Sequence, residues 1–175
     1  MYMEIKTERL LLRPMNISNL EIVHEYASDK ENTKYLRFGP NESIEETMTF
    51  LSGITKEWQK DNPDFYEFAI TLDGKQIGAV CVYLDEKHES GELGWILNKK
   101  YWRNGYATEA ALVLKDHVVR NLKVKKLVAH CDARNTASAR VMEKIGLRLE
   151  SDDGIRVYFK RNETARELMY SLILL

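Results

Sequence analysis

The stretch from Gly91 to Asp132 limits the fold more than any other part of the chain. It opens with an apolar run, GELGWIL (residues 91–97). After a short turn, Ala107, Ala111, Leu114, Val118 and Leu122 recur at helical spacing, and a second apolar run, KKLVAHCD (residues 125–132), follows. A strand, a helix and a strand joined this way form a crossover, and a crossover sets its two strands parallel. Ligands bind such units at the carboxyl ends of the strands, beside the helix N-terminus. The turn at that place is NKKYWRNGYATEA, Asn98 to Ala110. The first N–H groups of a helix lack internal partners and the helix dipole makes that end positive, so an anion such as phosphate is a natural occupant. An ordinary strand-to-helix turn with Gly105 at positive φ fits the same residues.

The flanking segments are of a different kind. ERLLLRPM (residues 8–15) reads as a short strand ended by Pro14. Ser18 with Glu21 and Ser43 with Glu46 have the spacing of capping boxes. They open a first helix with Leu20, Val23 and Ala27 inward, and a second over residues 43–60 with Ile44, Met48, Leu51, Ile54 and Trp58 inward. FYEFAITL (residues 65–72) alternates, Asp73-Gly74 is a hairpin turn, and KQIGAVCVYLDE (residues 75–86) is the return strand. Gly91 and Gly94 mark a bulge or a close approach in the next strand. NTASARVMEKIG predicts a shorter helix with Gly146 at C′. IRVYFKR and ELMYSLIL read as terminal strands. The expectation is a single domain over residues 1–175 with a mixed, mostly antiparallel sheet of about six or seven strands, one parallel pair, and helices on its faces.

Composition narrows the function. Lys plus Arg is 26 and Asp plus Glu 27, a balance that argues against binding nucleic acid by bulk charge. Cys81 and Cys131 each lie in an apolar run without CxxC or a Cys/His neighbour, which predicts buried thiols rather than a metal or redox site. No secretory signal and no membrane-spanning run is read, so a cytoplasmic location is expected. The apolar C-terminal strand is a candidate for homodimer pairing.

Three motifs in order carry a family resemblance. WRNGYA (residues 102–107) resembles the Gln/Arg-x-x-Gly-x-Gly/Ala pyrophosphate loop of the GNAT superfamily of N-acetyltransferases, GELGWIL resembles the strand before it, and NTASARVMEKIGL (residues 135–147) resembles the Asn-x-x-Ser…Glu-Lys-x-Gly segment of the branch containing ribosomal-protein N-terminal acetyltransferases. TERLLLRP at residues 7–14 is similar to that branch too. Trp102 departs from the wider pattern, as that branch does.

The resemblance implies acetyl-CoA as co-substrate and a parallel strand pair splayed to admit it. Backbone N–H groups of Arg103, Asn104, Gly105, Tyr106, Ala107 and Thr108 would cradle the diphosphate, helped by Lys99 and Lys100 if these are not simply a solvated face. The pantetheine arm would pair with the strand edge at Trp95, Ile96 and Leu97, and an N–H of Leu97 or Ile96 would meet the oxyanion. Asn135 would touch the cofactor arm, though an N-cap role explains it equally. Glu92 would act as base, or else be a solvent-facing strand residue, and Ser138 would donate a proton to the departing thiolate. Tyr35, Arg37, Phe38 and Trp58 would line the acceptor site or pack the core. The acceptor would be a protein N-terminus or a small amine. The competing reading is a non-catalytic CoA-binding module.

Overall fold

The computed structural model describes residues 3–174. Eight strands form one sheet: β1 (Ile5–Lys6), β2 (Leu11–Pro14), β3 (Phe65–Leu72), β4 (Lys75–Leu84), β5 (Ser90–Leu97), β6 (Lys126–Asp132), β7 (Arg148–Tyr158) and β8 (Glu163–Ile173). Their order is β1-β2-β3-β4-β5-β6-β8-β7. Four helices complete it: α1 (Leu20–Ala27), α2 (Ile44–Glu57), α3 (Tyr106–Asn121) and α4 (Thr136–Lys144). Every neighbouring pair is antiparallel except β5 and β6. The mixed α/β architecture is the expected one, with one strand more. The extra strand is β1, whose two residues are too few to show a period.

Strand alternation sends side chains to two cores. Phe68, Ile70, Val80 and Val82 face α3 and α4 and pack with Leu114, Val118 and Met142. Ala69 and Ala79 face the other way, against Val23, Tyr26, Leu51 and Ile54 of α1 and α2. Each fully buried Leu or Val contributes about 1.5–3 kcal/mol, so both helix layers hold the sheet firmly.

Local signals mostly act as their chemistry dictates. Asp73 and Gly74 take φ of 48° and 78° at the β3–β4 turn, the left-handed pair that a tight hairpin needs. Gly146 sits at φ 94° after α4, and the N–H groups of Gly146 and Leu147 bond Glu143 and Met142 carbonyls at 3.0 Å, a Schellman closure. Two helix starts differ from expectation. Asn16 and Asn19, not Ser18 and Glu21, form the reciprocal cap before α1, around a one-turn 3₁₀ segment. Ser43 does cap α2, accepting from Glu46 N–H at 3.3 Å, but the Glu46 carboxylate reaches Glu42 N–H instead. The buried face of α2 is Thr47, Leu51, Ile54 and Glu57. Thr47 is inward because His24 and Asn41 satisfy its hydroxyl, and Glu57 because Asp64 N–H and Lys60 do so. Ile44 and Met48 are left exposed.

The C-terminal hairpin also departs from expectation. β7 begins seven residues earlier than its apolar part, and β8 lies between β6 and β7. The apolar β8 is therefore paired on both sides within this chain, and its backbone is not open for pairing across a dimer. Among the described residues no helix is long and apolar enough to cross a membrane.

Candidate active site

The site grows from the parallel pair. Ser90, Gly91 and Glu92 pair with Lys126, Leu127 and Val128, and there the β5–β6 ladder stops. Both strands continue, β5 to Leu97 along β4 and β6 to Asp132 along β8, so a gap opens between them. Asn98 N–H bonds Ile77 C=O at 2.8 Å. Antiparallel alternation from that bond turns the N–H and C=O of Ile96 toward β4, and those of Trp95 and Leu97 toward the gap. The Leu97 carbonyl is already taken, by Asn32 Nδ2 at 2.7 Å and Trp102 Nε1 at 2.9 Å. The open edge is thus both polar groups of Trp95 and the N–H of Leu97. Ile96 meets the site through its side chain. Its N–H is not placed to reach an oxyanion.

The loop after β5 is built for backbone exposure. Arg103 and Gly105 both adopt left-handed φ, 65° and 80°. Gly105 is the N-cap of α3, and the first helical bond runs from Glu109 N–H to Gly105 C=O at 3.0 Å. The N–H groups of Tyr106, Ala107 and Thr108 precede that bond and have no helical acceptor. The Asn104 side chain ties the Tyr101 and Trp102 carbonyls at 3.2 and 3.0 Å, which leaves donors as the loop's outward groups. Trp102 explains its own departure from the Gln/Arg pattern: its indole pins the loop to the end of β5. Glu109 is structural, as its carboxylate gathers Thr7, the Arg9 N–H and the Arg9 guanidinium. Lys99 pairs with Asp29 and Glu31, and Lys100 with Glu25, so neither is a free phosphate cation. Arg103 has no side-chain partner among the described residues.

A cavity of about 740 Å³ runs through the gap. On the α4 side it is lined by Asn135, Ser138 and Met142, and on the α1–α2 side by Tyr26, Phe50 and Tyr83. A ligand entering from one face of the sheet can therefore meet a ligand entering from the other.

Comparison with known proteins agrees with this geometry. The family model described as an acetyltransferase (GNAT) domain matches residues 9–148. The chain belongs to the GNAT acetyltransferase family. An uncharacterized N-acetyltransferase of Bacillus subtilis (strain 168), YnaD, is 29% identical over 176 residues, spanning 98% of this chain and 97% of its own. A solved GNAT-family acetyltransferase from Bacillus anthracis is 32% identical, with a TM-score of 0.83 and 98% of each chain covered. The ribosomal L7/L12 α-N-protein acetyltransferase RimL, solved in complex with coenzyme A, shares the fold at a TM-score of 0.85 over 98% of each chain, with 19% identity. As a GNAT enzyme the protein uses acetyl-CoA as acyl donor. The exposed N–H loop, the left-handed Gly105 and the open β5 edge suit a diphosphate followed by a peptide-like arm.

The expected residues divide by place within this GNAT domain. Asn135 caps α4, its Oδ1 accepting from Ser138 N–H at 3.2 Å, and both residues line the cavity. Tyr35, Arg37 and Phe38 line it too, but Trp58 does not: it packs edge-on to Tyr66 and Phe68 and bonds the Glu67 carbonyl. Arg37 is committed to Glu167, at 2.6 Å, which also holds Arg156 at 2.6 Å. That network ties the loop after α1 to the C-terminal hairpin. Beside it, burial works against ionisation of Asp132, yet Arg134 and Tyr158 hold its carboxyl down to about 2.

Glu92 faces the cavity from β5, where it accepts a hydrogen bond at 2.8 Å from His130 Nδ1. This contact holds Glu92 below the usual carboxylate range, although burial opposes it. His130 escaped the sequence reading because it looks like one polar residue in an alternating strand. Only the strand register, which sets Glu92 opposite Val128, puts His130 on the same face two residues further along β6 and within reach of the Glu92 carboxylate. Burial raises the Cys81 thiol well above its usual range and pushes Cys131 up to about 11. Both sulfurs stay protonated near neutral pH.

Proposed function

We propose that the protein transfers an acetyl group from acetyl-CoA to a primary amine by direct attack in a ternary complex. The acceptor in this reading is the α-amine of a polypeptide, as in the ribosomal-protein branch, or a small-molecule amine. One observation carries the proposal: a single cavity passes through the β5–β6 gap and joins the two faces of the sheet. The donor arm lies along Trp95 and Leu97, with its diphosphate over residues 103–108, and the amine approaches from the α1–α2 side.

Each side chain then has a task. The N–H of Trp95 or Leu97 faces the developing oxyanion. Glu92 lies on the acceptor side of the gap, where its carboxylate draws the ammonium toward the strand, while the Ser138 hydroxyl returns a proton to the leaving thiolate. Asn135 orients the donor arm from the start of α4. Neither protonated cysteine is an acyl carrier, which supports one-step transfer. An α-amine, with pKa near 7.7–8.0, is partly neutral at physiological pH and needs less help than a lysine near 10.4.

The test is thiol release from acetyl-CoA with a panel of acceptors: peptides with free N-terminal Ser, Ala or Met, polyamines, amino acids and aminoglycosides. Turnover with one class above the hydrolytic background is the expected result and names the acceptor. Release at background with every amine overturns the proposal.

A further inference from the structure

Acetylating an ammonium releases one net proton: nitrogen loses two, and the departing sulfur takes up one. The site must deliver that proton to solvent. The geometry around β6 points to the route. His130 Nδ1 is 2.8 Å from Glu92 Oε1, while its Nε2 has no partner among the described residues. The ring lines the cavity at the mouth of the gap and keeps 22% of its side chain exposed. A ring held by a carboxylate at Nδ1 carries its proton there when neutral, and so presents Nε2 as an acceptor.

We propose that His130 is the general base of the acetyl transfer and that Glu92 is a positioning residue acting through it. The inference rests on the acetyltransferase reading above. Nε2 takes a proton from the acceptor ammonium, and the freed lone pair forms the N–C bond. The C–S pair leaves on sulfur, which is protonated from Ser138. The Ser138 hydroxyl recovers its proton from the amide nitrogen as that nitrogen becomes neutral, and the imidazolium passes its own to solvent. Every proton and electron pair is thereby placed.

The surrounding charges match the task. From β5, Glu92 raises the affinity of His130 for a proton, against the effect of burial. From β8, Glu167 raises it further, and Arg37 in the loop after α1 lowers it. Arg156 on β7 sits beside Glu167, which it neutralises in part. The result is a histidine titrating above its ordinary range, closer to the pKa of an α-amine.

The experiment is the pH profile of kcat/KM for wild type, His130→Gln and Glu92→Gln, each with two amines of different pKa. A limb that stays in place when the amine changes belongs to the enzyme. In wild type we expect such a limb, rising with pH as His130 loses its proton. In His130→Gln it vanishes and the rate falls about 100-fold, within the range for general bases. In Glu92→Gln it persists at lower pH, because the neutral amide still accepts from Nδ1–H but no longer stabilises the imidazolium. Direct titration of the His130 ring by proton NMR in wild type should give the same midpoint. This measurement does not depend on how the variants fold. A limb retained in His130→Gln, loss of the limb in Glu92→Gln alone, or a ring midpoint that differs from the kinetic one overturns the assignment. Absence of turnover in wild type overturns the parent proposal as well, so the two failures are distinct.

Discussion

Gly105 fixes the start of α3, the proposed seat of the diphosphate, in a single backbone conformation. At φ 80° a residue with a β-carbon is strained by about 1–2 kcal/mol, and a glutamate there adds negative charge where the diphosphate belongs. Gly105→Glu should weaken CoA binding at least tenfold by calorimetry, equivalent to about 1.4 kcal/mol. The same backbone strain should lower the melting temperature by roughly 2–8 °C, leaving the chain folded at assay temperature. Unchanged affinity would move the diphosphate elsewhere. Gly105 was legible in the sequence because the constraint is local: a turn, a small residue and a helix start within six positions. Asn135 as the cap of α4 was legible for the same reason. His130 was not, since its role depends on β6 lying beside β5 in one particular register, and nothing within either strand states that register. Ile96 was read as part of the open edge. Which residues of a strand face outward depends on the hydrogen-bond parity with β4, and that too is fixed only by pairing.

At the scale of elements, the loop between β5 and α3 is a brace as much as a binding surface. Trp102 fastens it to the β5 end and Arg9 fastens it to β2's approach, with Arg9 bonding Asn104 C=O at 3.1 Å. Losing one such neutral bond costs about 1 kcal/mol. Trp102→Phe should therefore raise KM for acetyl-CoA about fivefold and leave kcat nearly unchanged, since the loop holds the donor equally in ground and transition states. A fall in kcat with constant KM would show that the loop acts on the chemical step. Elements with a strong period were read well, notably α3 and the β3–β4 hairpin. The start of β7 was missed because RLESDDG is polar along an outer strand with little to bury. The inward face of α2 was misassigned because Thr47 and Glu57 are buried by partners that lie far away in sequence or in loops.

The whole molecule is a sheet covered on both sides, with an opening in its middle. Filling that opening should stabilise it. A donor at a hundredfold excess over its Kd adds about 2.7 kcal/mol, which for a chain of this size raises the melting temperature by roughly 5–10 °C. Coenzyme A should produce that shift in wild type, and no shift would place the donor outside the gap. The crossover, and so the existence of a parallel pair, could be inferred from element order. The depth of the opening could not, because it is set by where the β5–β6 ladder ends. That ending gives the sheet an interior edge. Outer edges invite any strand that arrives, but this one lies between covered faces. Admission goes to a slender chain whose amides recur with the rhythm of a polypeptide. With the donor arm placed as proposed, the fold would select its acyl carrier by outline and amide spacing before the acetyl group is presented, and a thioester on a carrier without those amides would leave the N–H groups of Trp95 and Leu97 unpaired.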